Sequence, residues 1–190
     1  MTIIAKSNYL EFKKSTTTTG KEWHYVKRTN DSPSHDSAVV ITTFVKIENE
    51  YNFLFLLTKR PPLVAEDKSK YCIECPAGLI GDIDKNETLE ECIKKELLEE
   101  TGLVANKIII DLKNSATSAG LTSETLSFAT AFVENYELQA TPVSDDGVIC
   151  DRFFVKAREI YNYIENLNQT EYSLASPTLT GIFFGLKNLK

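Results

Sequence analysis

Glu96, Glu99 and Glu100 fall in the run KELLEETGL, which sets three carboxylates within little more than one helical turn. Thr88 followed by Glu91 reads as a capping box and Gly102 as a stop, so the spacing predicts a helix over Leu89–Thr101. At about 100° per residue, Leu89, Cys92, Ile93 and Leu97 form one apolar stripe. Glu96 and Glu100 fall near the middle of that stripe and Glu99 near its edge. Glu90, Glu91, Lys94 and Lys95 take the opposite, solvated side.

Ionised carboxylates this close repel each other and lose hydration when partly buried, so either their pKa values rise or a cation neutralises them. Oxygen ligands without a histidine among them suit Mg²⁺ or Mn²⁺ better than zinc. The alternative is an acidic surface helix held by pairs such as Glu91 with Lys95. The inward phase of Glu96 and Glu100 favours the metal.

The same segment resembles the signature of the Nudix hydrolases: a glycine, five residues, Glu, seven residues, then R-E-U-x-E-E-x-G-U, with U aliphatic. Gly81, Glu87, Glu96, Leu97, Glu99, Glu100, Gly102 and Leu103 satisfy it, and Lys95 stands where the family has Arg. That exchange keeps the charge and loses the planar fork. The preceding PAGLIG also resembles the PAG turn that supplies the first glycine in ADP-sugar pyrophosphatases, which makes Gly78 that glycine and lengthens the loop to Glu87 by three residues. We prefer this second alignment. It implies that the carbonyl of Ala77 joins Glu96, Glu99 and Glu100 as a metal ligand.

Residues 9–60 extend the resemblance to the ADP-sugar pyrophosphatase branch. The branch implies an α/β Nudix fold, a mixed β-sheet α/β/α sandwich with an N-terminal antiparallel β-subdomain. We therefore expect that subdomain over residues 1–35 and a Nudix hydrolase domain over 36–190. The subdomain implies a homodimer and aromatic side chains that sandwich adenine. Trp23 matches one such aromatic and Tyr9 is a weaker match for the other. For the only tryptophan in the chain, core packing is the ordinary fate; its setting in the polar run EWHYVKRT favours stacking on a base instead. Arg28 and Arg60 match positions that contact a diphosphate, which needs donors that are always charged. Asp36 matches a position that helps to fix the substrate, and His24 stands where relatives carry an acidic residue. SAGLTSE at 118–124 resembles the loop that closes over the terminal sugar, with Gly120, Leu121 and Glu124 as the candidates.

Composition agrees with such a protein. The chain has 190 residues, 42% of them hydrophobic and 25% charged, enough for one globular domain with a small appendage. No run is long enough for a membrane helix and the first thirteen residues lack the apolar core of a signal peptide, so a cytoplasmic protein is expected. A net charge of −6 without a basic patch argues against nucleic acid. Cys72, Cys75, Cys92 and Cys150 include one C-x-x-C, but residues three apart on a strand face opposite sides. We expect four reduced core thiols.

The pattern predicts a polar hairpin over 7–14 and 22–29 and a pair of strands at 38–45 and 53–58. Further strands are expected at 71–75, 107–111, 125–133 and 148–155, and a helix at 158–166. A closing helix is expected to take Ser176 as its cap and Pro177 as its first residue.

The resemblance implies Mg²⁺-dependent cleavage of the diphosphate of ADP-ribose or a related ADP-sugar, giving AMP and a sugar phosphate. Glu96, Glu99 and Glu100 would be the catalytic carboxylates. Relatives place a general-base glutamate on the loop before the last strand, and the aligned residue here is Val148. Asp145 and Asp146 lie close by, and Asp146 is the candidate base. Two other readings stay open: hydrolysis of another nucleotide, such as an oxidised nucleoside triphosphate or a dinucleotide, and an ADP-ribose-binding module of low or no activity.

Overall fold

The computed structural model describes residues 1–29, 37–82, 84–143 and 148–190. Two strands form its centre. β4 (Ala38–Ile47) and β9 (Thr125–Val133) pair in parallel from Ala38 opposite Leu126 to Val45 opposite Val133. Both are buried along most of their length, so each carries apolar or small residues towards both faces.

The period of two decides which layer each side chain joins. Ala38, Val40, Phe44, Phe128 and Phe132 pack towards α3 (Ile160–Leu167) and α4 (Ser176–Asn188). Val39, Ile41, Ala129 and Ala131 pack towards Cys92, Ile93 and Leu97 of α2 (Leu89–Thr101). Each fully buried Val, Leu, Ile or Phe contributes about 1.5–3 kcal/mol, and these two layers of them hold helices on both sides of the sheet. The expected α/β/α sandwich is present.

The remaining strands of this sheet are β5 (Glu50–Thr58), β6 (Tyr71–Glu74), β7 (Ala77–Leu79), β8 (Lys107–Ala116), β10 (Ile149–Lys156) and β11 (Tyr172–Leu174), and a short helix, α1 (Pro61–Ala65), joins β5 to β6. Its order is β11-β6-β5-β4-β9-β8, with β10 on β5 and β7 on β4. Glu48 and Asn49, both at positive φ, make the two-residue turn between β4 and β5. Along β5, pairing passes from β4, which it accompanies as far as Leu54, to β6, which it meets from Leu56. The edge of β4 thus released, Ala38–Val40, is taken by β7. Pro76 crosses this fork, its carbonyl accepting from Ile41 N at 2.8 Å. The fork lays Ala77 and Gly78 under α2.

β1 (Thr2–Lys6), β2 (Leu10–Thr16) and β3 (Glu22–Arg28) form a separate antiparallel sheet. The expected hairpin is β2–β3. β1 was not expected: every residue of TIIAK is exposed, and only its pairing with β2 defines it as a strand.

Three other expectations need correcting. The closing helix takes Ala175 as its cap and begins at Ser176, because a first turn tolerates proline at either of its first positions, where N–H groups have no partner. The helix expected at 158–166 starts as a 3-10 turn over Ala157–Glu159 before α3. Cys150 is exposed, whereas Cys72, Cys75 and Cys92 are buried and all four thiols are free. Burial pushes the Cys75 thiol up to about 12, leaving it inert at neutral pH. Among the described residues no helix is long and apolar enough to cross a membrane.

Candidate active site

Helix α2 has the ends that its sequence predicts. The Thr88 hydroxyl accepts from Glu91 N, and the Glu91 carboxylate accepts from Thr88 N at 2.8 Å. At the other end Gly102 adopts φ 72° and donates to the Leu98 carbonyl. Between these caps, Cys92, Ile93, Leu97 and Thr101 are buried, and Glu96 and Glu100 project along the same side towards β7.

The carboxylates meet a backbone shaped for them. A Cβ on Gly78 would lie 1.9 Å from Glu96 Cδ, so only glycine leaves room for that side chain. Ala77 N donates to Glu100 Oε2 at 2.9 Å. Lys95 Nζ reaches Asp82 Oδ1 and Glu87 Oε1 at 3.0 Å each and Glu96 Oε1 at 3.3 Å. Glu87 is held from its other oxygen by Gly81 N at 3.0 Å. The three ammonium protons thus have three carboxylates to satisfy, which a lysine point charge can do without the fork of an arginine. Burial alone would weaken the Lys95 ammonium. The bonds to Glu87 and Asp82 and the field of Glu96 outweigh it and hold its pKa above the ordinary lysine value.

Electrostatically the pair is under-compensated. Desolvation pushes Glu96 up to about 7, with Lys95 pulling the other way and Glu99 and Asp82 adding to the rise. Desolvation pushes Glu100 up to about 8; the Ala77 N–H and Arg60 oppose this, and Glu96 and Glu74 reinforce it. Glu99 is exposed beside them. Among the described residues no group of three or more His, Cys, Asp or Glu side chains stands ready to hold a metal ion without further ligands. Partly buried hard-oxygen donors lacking a full countercharge fit a divalent cation of the Mg²⁺ class.

Arg60 belongs to this end of the site. Its Nε and Nη2 grip Glu74, the shortest contact being 2.8 Å, and Thr58 Oγ1 donates to the same carboxylate at 2.9 Å. Glu74 escaped the sequence reading, although a charged residue inside the apolar strand run YCIEC is the kind of signal that marks one.

The other expected substrate residues meet along a seam between the two sheets. Trp23 Nε1 donates to the Gly120 carbonyl at 3.0 Å, and Arg28 Nε donates to Glu124 Oε1 at 2.7 Å. Between them Val26 N donates to the Leu121 carbonyl and Ser123 N to the Val26 carbonyl, so loop 118–124 runs beside β3 like an extra strand. Trp23 stays half exposed and Leu121 exposed, leaving apolar surface open along this seam. His24 stacks on Phe12, with ring centroids 5.7 Å apart. Asp36 and Asp146, together with Asp145, lie outside the described residues.

The NUDIX domain profile matches residues 34–174, most of the chain, and the protein belongs to the Nudix family of hydrolases. An uncharacterised Nudix hydrolase of Schizosaccharomyces pombe is 29% identical over 175 residues, covering 88% of this chain and 80% of that one. Among solved structures, an ADP compounds hydrolase aligns with a TM-score of 0.68 at 14% identity, over 99% of this chain and 90% of its own. The NUDIX domain of Shewanella oneidensis NrtR, solved with ADP ribose, aligns with a TM-score of 0.57 at 17% identity, over 85% and 95%. These likenesses show the fold: the two sheets and flanking helices are those of Nudix structures.

Proposed function

We propose that this Nudix hydrolase cleaves the diphosphate of ADP-ribose or a closely related ADP-sugar, adding water to give AMP and a sugar phosphate. The observation that carries the reading is the seam, where an exposed tryptophan and an arginine of the N-terminal sheet meet Gly120 and Glu124, combined with two partly buried glutamates beside Ala77 and Gly78. A planar base can stack on Trp23, Arg28 and Arg60 can take the diphosphate oxygens, and Gly120, Leu121 and Glu124 border the room left for the distal sugar. The solved complex of a similarly folded domain with ADP ribose supports the ligand class.

Glu96, Glu100 and Glu99, with the carbonyl of Ala77, would hold a divalent cation, Mg²⁺ or Mn²⁺. When bound, it supplies charge neutralisation at the diphosphate and a lowered pKa for water. The chain's own residues prepare that site. Ala77 N–H donates to Glu100, Lys95 pairs with Glu96, and the missing side chain of Gly78 leaves the room that Glu96 occupies. Asp146 is the proposed base; the segment carrying it leaves from Val143, whose N–H is bonded to Glu99 O, and returns at Val148, whose carbonyl accepts from Lys59 N. Both anchors adjoin residues of the site. We further propose that residues 1–35 act as a dimerising subdomain, since Ile3, Ile4, Leu10 and Phe12 on it are exposed.

The test is AMP release from ADP-ribose, ADP-glucose, NADH and diadenosine polyphosphates, with nucleoside triphosphates as controls, in Mg²⁺ and in EDTA. Metal-dependent cleavage strongest on ADP-ribose is expected. Glu96→Gln or Glu100→Gln should lower kcat by more than the roughly 10–100-fold that follows loss of an outer-shell partner; turnover at the parental rate would end the proposal. The resemblance keeps a second reading, ADP-ribose binding without cleavage, because it aligns Val148 with the position of the family's general base. Tight binding with no product from any substrate would select it.

A further inference from the structure

The last turn of α2 is electrostatically awkward. It carries Glu99 and Glu100 and no basic residue, although the carbonyl end of a helix favours cations. Four C-terminal carbonyls also need partners from outside the helix's own ladder.

Arg152, on β10, supplies the missing charge. Its Nε donates to the Glu100 carbonyl and its Nη2 to the Val143 carbonyl at 3.3 Å, while Val143 N donates to the Glu99 carbonyl at 2.7 Å. These bonds close a ring through two consecutive site residues, the segment 138–143 and β10. That segment crosses the helix end at close range. Gln139 N donates to the Gly102 carbonyl, and a Cβ on Gly102 would lie 2.4 Å from the Ala140 carbonyl.

We infer that Arg152 is a positioning residue, a clasp whose fork joins the segment 138–143 to the end of α2 and thereby sets where Glu99 and Glu100 project. The inference rests on the proposed function for its kinetic consequence. A planar guanidinium can serve two carbonyls on different elements at once, and a lysine ammonium on a flexible stem does so with less directional control. A shift of about 1 Å in a helix that presents ligands is enough to cost on the order of 100-fold in rate.

The experiment compares the parent chain with Arg152→Met and Arg152→Lys by thermal-shift titration with MgCl₂ and MnCl₂ and by kinetics on ADP-ribose. Arg152→Met is expected to raise the metal concentration at half-maximal shift by about 10-fold or more and to lower kcat, with KM little changed. Arg152→Lys should fall between it and the parent. A folded Arg152→Met protein with the parental metal midpoint and kcat overturns the inference, as does a variant that melts earlier in EDTA yet keeps the parental midpoint, the mark of a purely structural contact. If Arg152→Met does not fold, Arg152→Lys decides, and parental values in both readouts overturn the inference. A parent that shows a metal shift but no hydrolysis removes the proposed function and leaves the metal midpoint to judge the clasp; a parent with neither removes both.

Discussion

Glu96 and Glu100 carry protons well above the pH at which a free glutamate has lost them. Their folded pKa values of about 7 and 8 stand above the ordinary 4.5, so between those limits the folded chain binds protons that the unfolded chain has released. Stability from this pair is therefore present near pH 5 and falls as pH rises towards 8. In EDTA, the melting temperature should be higher near pH 5 than near pH 8, and a Glu96→Gln, Glu100→Gln chain should flatten that slope. Mg²⁺ should stabilise the parent most at the alkaline end; a parental slope unchanged by both substitutions would refute the assignment. Gly78→Ala addresses the same carboxylates by volume. The added methyl meets the far end of the flexible Glu96 side chain, which can swing away, so the fold should survive. Metal affinity and kcat should then drop together, by on the order of 100-fold, while the EDTA melting temperature moves little.

α2 was legible because its signals are local. Thr88, Glu91 and Gly102 fix its ends within the helix itself, and its bounds are those that the spacing predicts. Thr88→Ala should cost about 1 kcal/mol, a drop of roughly 2–4 °C in melting temperature for a chain of this size; an unchanged melting curve would mean the cap contributes nothing. The strands of the central sheet were legible for the opposite reason, since their apolar runs are long enough to be buried whatever their partners. β1, β7 and β11 were not: each is short, and each exists because a neighbour offers an edge. The site divides in the same way. Glu96 and Glu100 could be read from helical phase, whereas Glu74 and Arg152 act across elements distant in sequence, where no local pattern records the meeting. Arg28 and Glu124 could be named separately from resemblance, but not as partners of each other.

At the scale of the molecule, the N-terminal sheet and the sandwich meet through β3 and loop 118–124. A dimer formed through the exposed apolar residues of that sheet would draw those contacts into its assembly. Light scattering at micromolar concentration should give twice the 21.4 kDa of one chain, and a monomer there would remove the dimer from the proposal. Arg28→Ala should free Glu124 and raise KM for ADP-ribose by on the order of 10-fold, the scale of one charged hydrogen bond, with kcat less affected.

Trp23 is the single tryptophan of the chain, and its indole N–H spans the join between the two sheets to reach Gly120. Every photon emitted on selective indole excitation therefore comes from that one place. The protein carries its own optical reporter: a nucleobase settling on the ring should quench the emission, and a loosened loop should shift it to the red, with no label attached.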